Sequence, residues 1–92
     1  MPALSTQQAD TLLSSLPAWR IEAGELVRTF KFEDFRASLR FVNQVGELAE
    51  EAGHHPDIDI RYNKVRLALV SHDQGGLTQR DMKMAQALET LA

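Results

Sequence analysis

The sequence predicts an α+β fold, a four-stranded antiparallel sheet with three helices packed on one face. Three observations predict it. Apolar residues recur at helical spacing in three stretches, and they alternate with polar ones in short runs between those stretches. Turn residues join the runs in pairs, giving the order helix, hairpin, helix, hairpin, helix. A sheet with one apolar face needs cover on that face, and three amphipathic helices supply it.

The first helix spans about Thr6 to Ser15. Ser5-x-x-Gln8 forms a capping box, in which the hydroxyl accepts from a free helix amide and the Gln side chain reaches back. Leu12, Leu13 and Leu16 make its apolar stripe, and Pro17 stops it. Trp19 and Ile21 then alternate with Arg20 and Glu22, Ala23-Gly24-Glu25 reads as a tight turn, and Leu26, Arg28, Phe30 and Phe32 share one side of the next run. Arg28 is the discordant residue on that apolar side.

Asp34 or Glu33 can cap the second helix, Phe35 to Ala52. Its stripe of Phe35, Leu39, Val42, Val45, Ala49 and Ala52 is widened by Phe41 and Leu48. So broad an apolar surface belongs to a central helix or to one that shares a face with another subunit. Gly53 supplies a left-handed stop. His54-His55-Pro56 is a short connection that Pro56 keeps extended. Ile58, Ile60 and Tyr62 alternate with charged residues, Asn63 turns the chain, and Val65, Leu67 and Leu69 complete a second hairpin with Tyr62 read as an edge-of-core aromatic. Ser71 and His72 end its second strand, and Asp73-Gln74-Gly75-Gly76 is a loop. Thr78-x-x-Asp81 opens the last helix as a second capping box, with Met84, Ala85, Leu88 and Leu91 as its stripe.

Ninety-two residues allow a single domain, taken as residues 1–92. There is no cysteine, so no disulfide, thiolate metal site or cysteine nucleophile is available. The hydrophobic share of 43% and charged share of 25% are those of a soluble globular chain. A net charge of −3 argues against nucleic acid and against an anionic membrane surface as partners. The first ten residues have neither a cationic start nor an apolar core of a signal peptide, and no stretch approaches a membrane span, so the expected location is the cytoplasm.

All three histidines, His54, His55 and His72, lie in the second half. If the turn after the second helix lies near the end of the second hairpin, three imidazoles converge in one pocket, and if the helix persists to His54, Glu50, four residues before it, can orient or charge that ring. Each residue also has a plain structural use. A histidine after a helix complements the dipole, Glu50 and Glu51 fit a solvated face, Asp81 caps its helix, and Arg80 faces solvent. Three imidazoles can hold zinc, but adjacent His54 and His55 diverge and no i,i+4 pair exists. Metal-free acid–base chemistry on a small polar substrate suits the cluster better. Neither a nucleophile elbow nor a phosphate-binding glycine loop is present.

Glu50-Glu51-Ala52-Gly53-His54-His55-Pro56, then Tyr62-Asn63-Lys64-Val65, His72 and Gly76-Leu77-Thr78-Gln79-Arg80-Asp81 closely resemble the pterin-4a-carbinolamine dehydratase family. The resemblance extends over the Trp19 hairpin, Phe30-x-Phe32-x-x-Phe35 and the long helix. Gly53 departs from it, since many members carry Asp or Asn there. The resemblance implies the fold derived above and dehydration of 4a-hydroxytetrahydropterin to quinonoid dihydropterin, which regenerates the cofactor of aromatic amino acid hydroxylases. It implies that His54, His55 and His72 surround the pterin, with His54 and His72 as proton donors to the leaving hydroxyl and His55 binding and assisting. Glu50 is expected to orient His54, and Asp81 to hold the loop of the pocket or a neighbouring group. No metal or organic cofactor is implied, because the pterin is the substrate. A homodimer or homotetramer is expected, with Phe41 and Leu48 in the shared helix face. The competing reading is a non-enzymatic coactivator or assembly protein on the same fold.

Overall fold

The structure is a computed structural model and describes residues 3–92. The expectation about the N-terminal start draws in part on residues 1 and 2, which lie outside the described residues. The elements follow the predicted order: α1 (Thr6–Leu13), β1 (Arg20–Glu22), β2 (Glu25–Lys31), α2 (Phe35–Ala52), β3 (Asp57–Arg61), β4 (Lys64–Leu69) and α3 (Gln79–Glu89), with a 3-10 turn at His72–Gln74. The strands form one antiparallel sheet in the order β1-β2-β4-β3, so the two hairpins join through β2 and β4.

Local chemistry explains the boundaries. Both capping boxes form, at Ser5 with Gln8 and at Thr78 with Asp81. Asp34 rather than Glu33 caps α2, accepting from the Ala37 amide at 2.8 Å. α1 ends at Leu13, two residues before the expected Ser15. Ser14 and Ser15 turn their hydroxyls onto the Thr11 and Leu12 carbonyls and close the helix there.

One sheet face holds Leu26, Phe30, Val65, Leu67 and Leu69, which share a single apolar cluster with Ala9 of α1, Phe41 and Val45 of α2, and Ala85 and Leu88 of α3. Thr29, Lys31, Lys64, Asp57, Asp59 and Arg61 are exposed on the opposite face. The helices thus cover one side. Arg28 finds its use on the buried side: its guanidinium lies 4.0 Å from the Phe30 ring centre and pairs with Glu89 of α3. The buried Trp19 donates its indole N–H to the same carboxylate at 2.6 Å.

Two expectations about apolar residues are corrected. Tyr62 is not at the edge of the core. It stands in the two-residue turn between Arg61 and Lys64 with φ of 52°, and it is 64% exposed. Such a turn requires left-handed backbone and projects the side chain away from the sheet. Phe41 is 2% exposed and belongs to the core, so it is not a free subunit face. Among the described residues, the large apolar side chains left in solvent are Phe35, Leu39, Ile58, Ile60 and Tyr62. Ile58 and Ile60 point to the helix-bearing face, but β3 is the sheet edge, at the limit of the helical cover.

Candidate active site

The end of α2 delivers the first histidine. Gly53 adopts φ of 62°, which lets the amides of Gly53 and His54 fold back onto the last-turn carbonyls; the His54 amide reaches Ala49 at 3.2 Å. The chain leaves in extended form, so alternate residues turn inward. His54 and Pro56 are buried, and His55 between them is exposed.

His54 lies against the start of α3. Its Nε2 is 2.5 Å from Oδ1 of Asp81, a side chain with no solvent exposure. The second oxygen of Asp81 accepts from the Thr78 amide and from the Ser71 hydroxyl, each at 2.9 Å. A carboxylate offers acceptors only, so the ring donates from Nε2. Nδ1 makes no hydrogen bond among the described residues. His54 lines a cavity of about 250 Å³ between α2 and α3, with Leu48, Ala52, Met84 and Ala87 as apolar wall and Arg80 and Lys83 as cations.

Arg80 is therefore not simply solvent-facing. Its terminal nitrogen donates to Asp73 at 2.6 Å, while its Nε is buried without a partner. The Asp73 carboxyl is held below its usual value by the hydrogen bonds from Arg80 and Gln74.

Glu50 does not reach His54. Its carboxylate pairs with Nε2 of His55, and both side chains are largely exposed. The back-folded helix end carries His54 inward, leaving the next imidazole on the side of Glu50. His72 opens the 3-10 turn and is exposed. It lines a separate hollow with Val70, Gly75, Gly76 and the β1–β2 turn. Ser71 takes the inward direction there, and the following residue is left outside. The expectation of one hollow lined by three imidazoles is thus not met in the single chain. Asp81 links the two stretches, meeting His54 directly and, on its other oxygen, Ser71, the residue before His72. No group of three His, Asp or Glu side chains among the described residues is disposed to hold a metal ion.

Sequence reasoning missed Ser71, Arg80 and Lys83. Ser71 left a trace in its place beside His72. Arg80 and Lys83 occupy positions indistinguishable from a solvated helix face.

Helical cover on one sheet face and a buried histidine–aspartate pair joining the end of the second helix to the start of the last define a small two-layer α+β domain with a candidate acid–base site. Residues 2–91 match the family model described as pterin 4 alpha carbinolamine dehydratase, and the chain belongs to that family. It is 57% identical over 91 residues to a homologue in Acidobacterium capsulatum named for the same family, covering 99% of each chain. Among solved structures it is similar to a transcriptional coactivator/pterin dehydratase from Brucella melitensis, with a TM-score of 0.93, 32% identity and 98% of each chain covered. It also shares its fold with a pterin dehydratase-like protein identified as a RuBisCO assembly factor in the alpha-carboxysome, at a TM-score of 0.70, 24% identity, and 82% and 89% coverage.

Proposed function

We propose that this chain is a pterin-4a-carbinolamine dehydratase, a hydro-lyase acting on 4a-hydroxytetrahydropterin. Kinship along the whole chain with relatives of that name supports the activity. The observation that carries the local chemistry is the His54–Asp81 pair.

In the reaction the N5 lone pair forms the N5=C4a double bond as the C4a–O bond breaks. The hydroxyl takes up a proton and leaves as water, and N5 gives up its proton, so quinonoid dihydropterin and water account for every atom. A neutral imidazole that donates from Nε2 presents a basic Nδ1. Once that nitrogen has taken a proton, the carboxylate of Asp81 stabilises the imidazolium, and the same nitrogen can return the proton to a leaving oxygen. His55 and His72 are the proposed further substrate contacts, with His72 a second acid and Glu50 acting on His55.

A homodimer or homotetramer is the proposed assembly, supported by the exposed Phe35, Leu39, Ile58, Ile60 and Tyr62. The substrate is a hydroxylated pterin, so an aromatic amino acid hydroxylase is the proposed metabolic partner. No helix among the described residues is long and apolar enough to cross a membrane, and the cytoplasm is the proposed compartment on the composition.

The test is direct. Purified protein mixed with freshly generated 4a-hydroxytetrahydropterin is expected to speed loss of water, and His54→Ala to slow it by about 10²–10⁴-fold. A wild-type rate equal to buffer would return the chain to the class of non-catalytic interaction proteins on this fold.

A further inference from the structure

Ser71 lies outside the histidine motif, yet it is 1% exposed and its hydroxyl touches two side chains at once. Counting protons fixes the direction of each contact. Ser71 donates its only proton to Oδ2 of Asp81 at 2.9 Å. At the 2.9 Å contact with Oγ1 of Thr78 it must therefore accept, and Thr78 must donate. Thr78 Oγ1 in turn accepts from the Arg80 amide at 3.2 Å. The donors run one way, from the Arg80 amide through Thr78 and Ser71 to Asp81, and the remaining oxygen of Asp81 meets the ring N–H of His54.

Helix capping explains only part of this chain. The Thr78 amide to Asp81 and the Arg80 amide to Thr78 are the ordinary contacts of a helix start. Ser71 belongs to the far side of the loop, and the cap is complete without its hydroxyl. What Ser71 adds is a second donor on Oδ2, which fixes the rotation of the carboxylate and keeps Oδ1 on the imidazole.

We infer that Ser71 is a positioning residue for the dehydration, acting through Asp81 to hold the His54 proton on Nε2 and to leave Nδ1 free for the substrate. The inference rests on the dehydratase reading of His54. Because Ser71 immediately precedes His72, the same hydroxyl ties the two histidine-bearing stretches together.

The test compares Ser71→Ala with Ser71→Thr in the full chain. Ring ¹⁵N shifts of His54, assigned by their disappearance in His54→Gln, report the tautomer. In the wild type they are expected to show the Nε2–H form. In Ser71→Ala they are expected to show a mixture, with kcat lowered by about 10–100-fold and KM within about twofold, whereas Ser71→Thr restores both. Ring shifts and kcat unchanged in Ser71→Ala overturn the inference. If Ser71→Ala loses its dispersed amide spectrum, Ser71→Cys replaces it, since the thiol fills the space with a weak donor, and is judged by the same two readouts. The ¹⁵N readout needs no turnover. A wild type that is inactive on pterin but shows the tautomer change would therefore sink the dehydratase reading while leaving the hydrogen-bond chain intact.

Discussion

Oδ1 of Asp81 lies 2.5 Å from Nε2 of His54, and the carboxylate is sealed from solvent while its other oxygen accepts from Ser71 and Thr78. This geometry makes Asp81→Asn an informative change. Its carbonyl oxygen would remain with the two donors on that side, so the NH₂ group would face His54. Two donors cannot meet, and the ring must move its proton to Nδ1. Dehydration is expected to fall by about 10²–10⁴-fold, since proton transfer from a positioned imidazole is worth that much. Unfolding free energy should drop by only about 1–3 kcal/mol, the cost of one disrupted buried hydrogen bond. Stopped-flow turnover and a urea melt on one preparation separate the two effects. An unchanged rate would reduce Asp81 to a helix cap.

Glu50 and His55 make the contrasting pair, with side chains 77% and 62% exposed. Solvent screening and side-chain freedom limit such a contact, so Glu50→Gln should change unfolding free energy by less than about 1 kcal/mol. Its effect on turnover is expected to be smaller than that of Asp81→Asn. A larger loss of turnover in Glu50→Gln would move the chemical weight to His55 and away from His54.

The sequence-level reading of the sheet and helices succeeded where the signal is local. The Ser5 and Thr78 boxes, the Gly53 stop and the alternation of Val65, Leu67 and Leu69 depend on residues within a turn or a strand of one another. It failed where the answer depends on packing between distant segments. The spacing of Glu50 and His54 suggests one helical face, but the left-handed Gly53 breaks the helix between them and hands the carboxylate to His55. Arg28 looked misplaced on an apolar side because its partner, Glu89, is 61 residues away. Tyr62 continues the alternation of Ile58 and Ile60 in the sequence, and only the hairpin register shows the strand stopping at Arg61 and leaving that side chain exposed.

Phe35 and Leu39 stand one helical turn apart on α2, 46% and 40% exposed. With Tyr62 they line one surface hollow. Leu39→Glu places a charge in that patch while leaving the buried Phe41 and Val45 untouched. Equilibrium sedimentation is expected to show a self-associated wild type and a shift of Leu39→Glu toward the 10.3 kDa monomer. A wild type that sediments as monomer at all concentrations would remove the assembly proposal.

Acid sensitivity should be traceable to Glu89. Burial of its carboxyl is the largest influence and raises its pKa, but the hydrogen bonds from Arg28 and Trp19, with the Arg28 charge, together outweigh it and hold the group below 4.5. A folded-state pKa lower than the unfolded one adds stability above the unfolded value, and that stability is lost as pH falls through the folded value. Glu89→Gln keeps an acceptor for the Trp19 indole but removes the charge that Arg28 pairs with. The variant should therefore be less stable at neutral pH, by about 1 kcal/mol or less because the carboxyl is partly solvated. The difference should shrink as pH drops below about 4.5, where the wild-type side chain also becomes neutral. Urea midpoints of both proteins across that range give the check. A gap between them that stays constant with pH would assign the effect to packing around Trp19 instead of to charge.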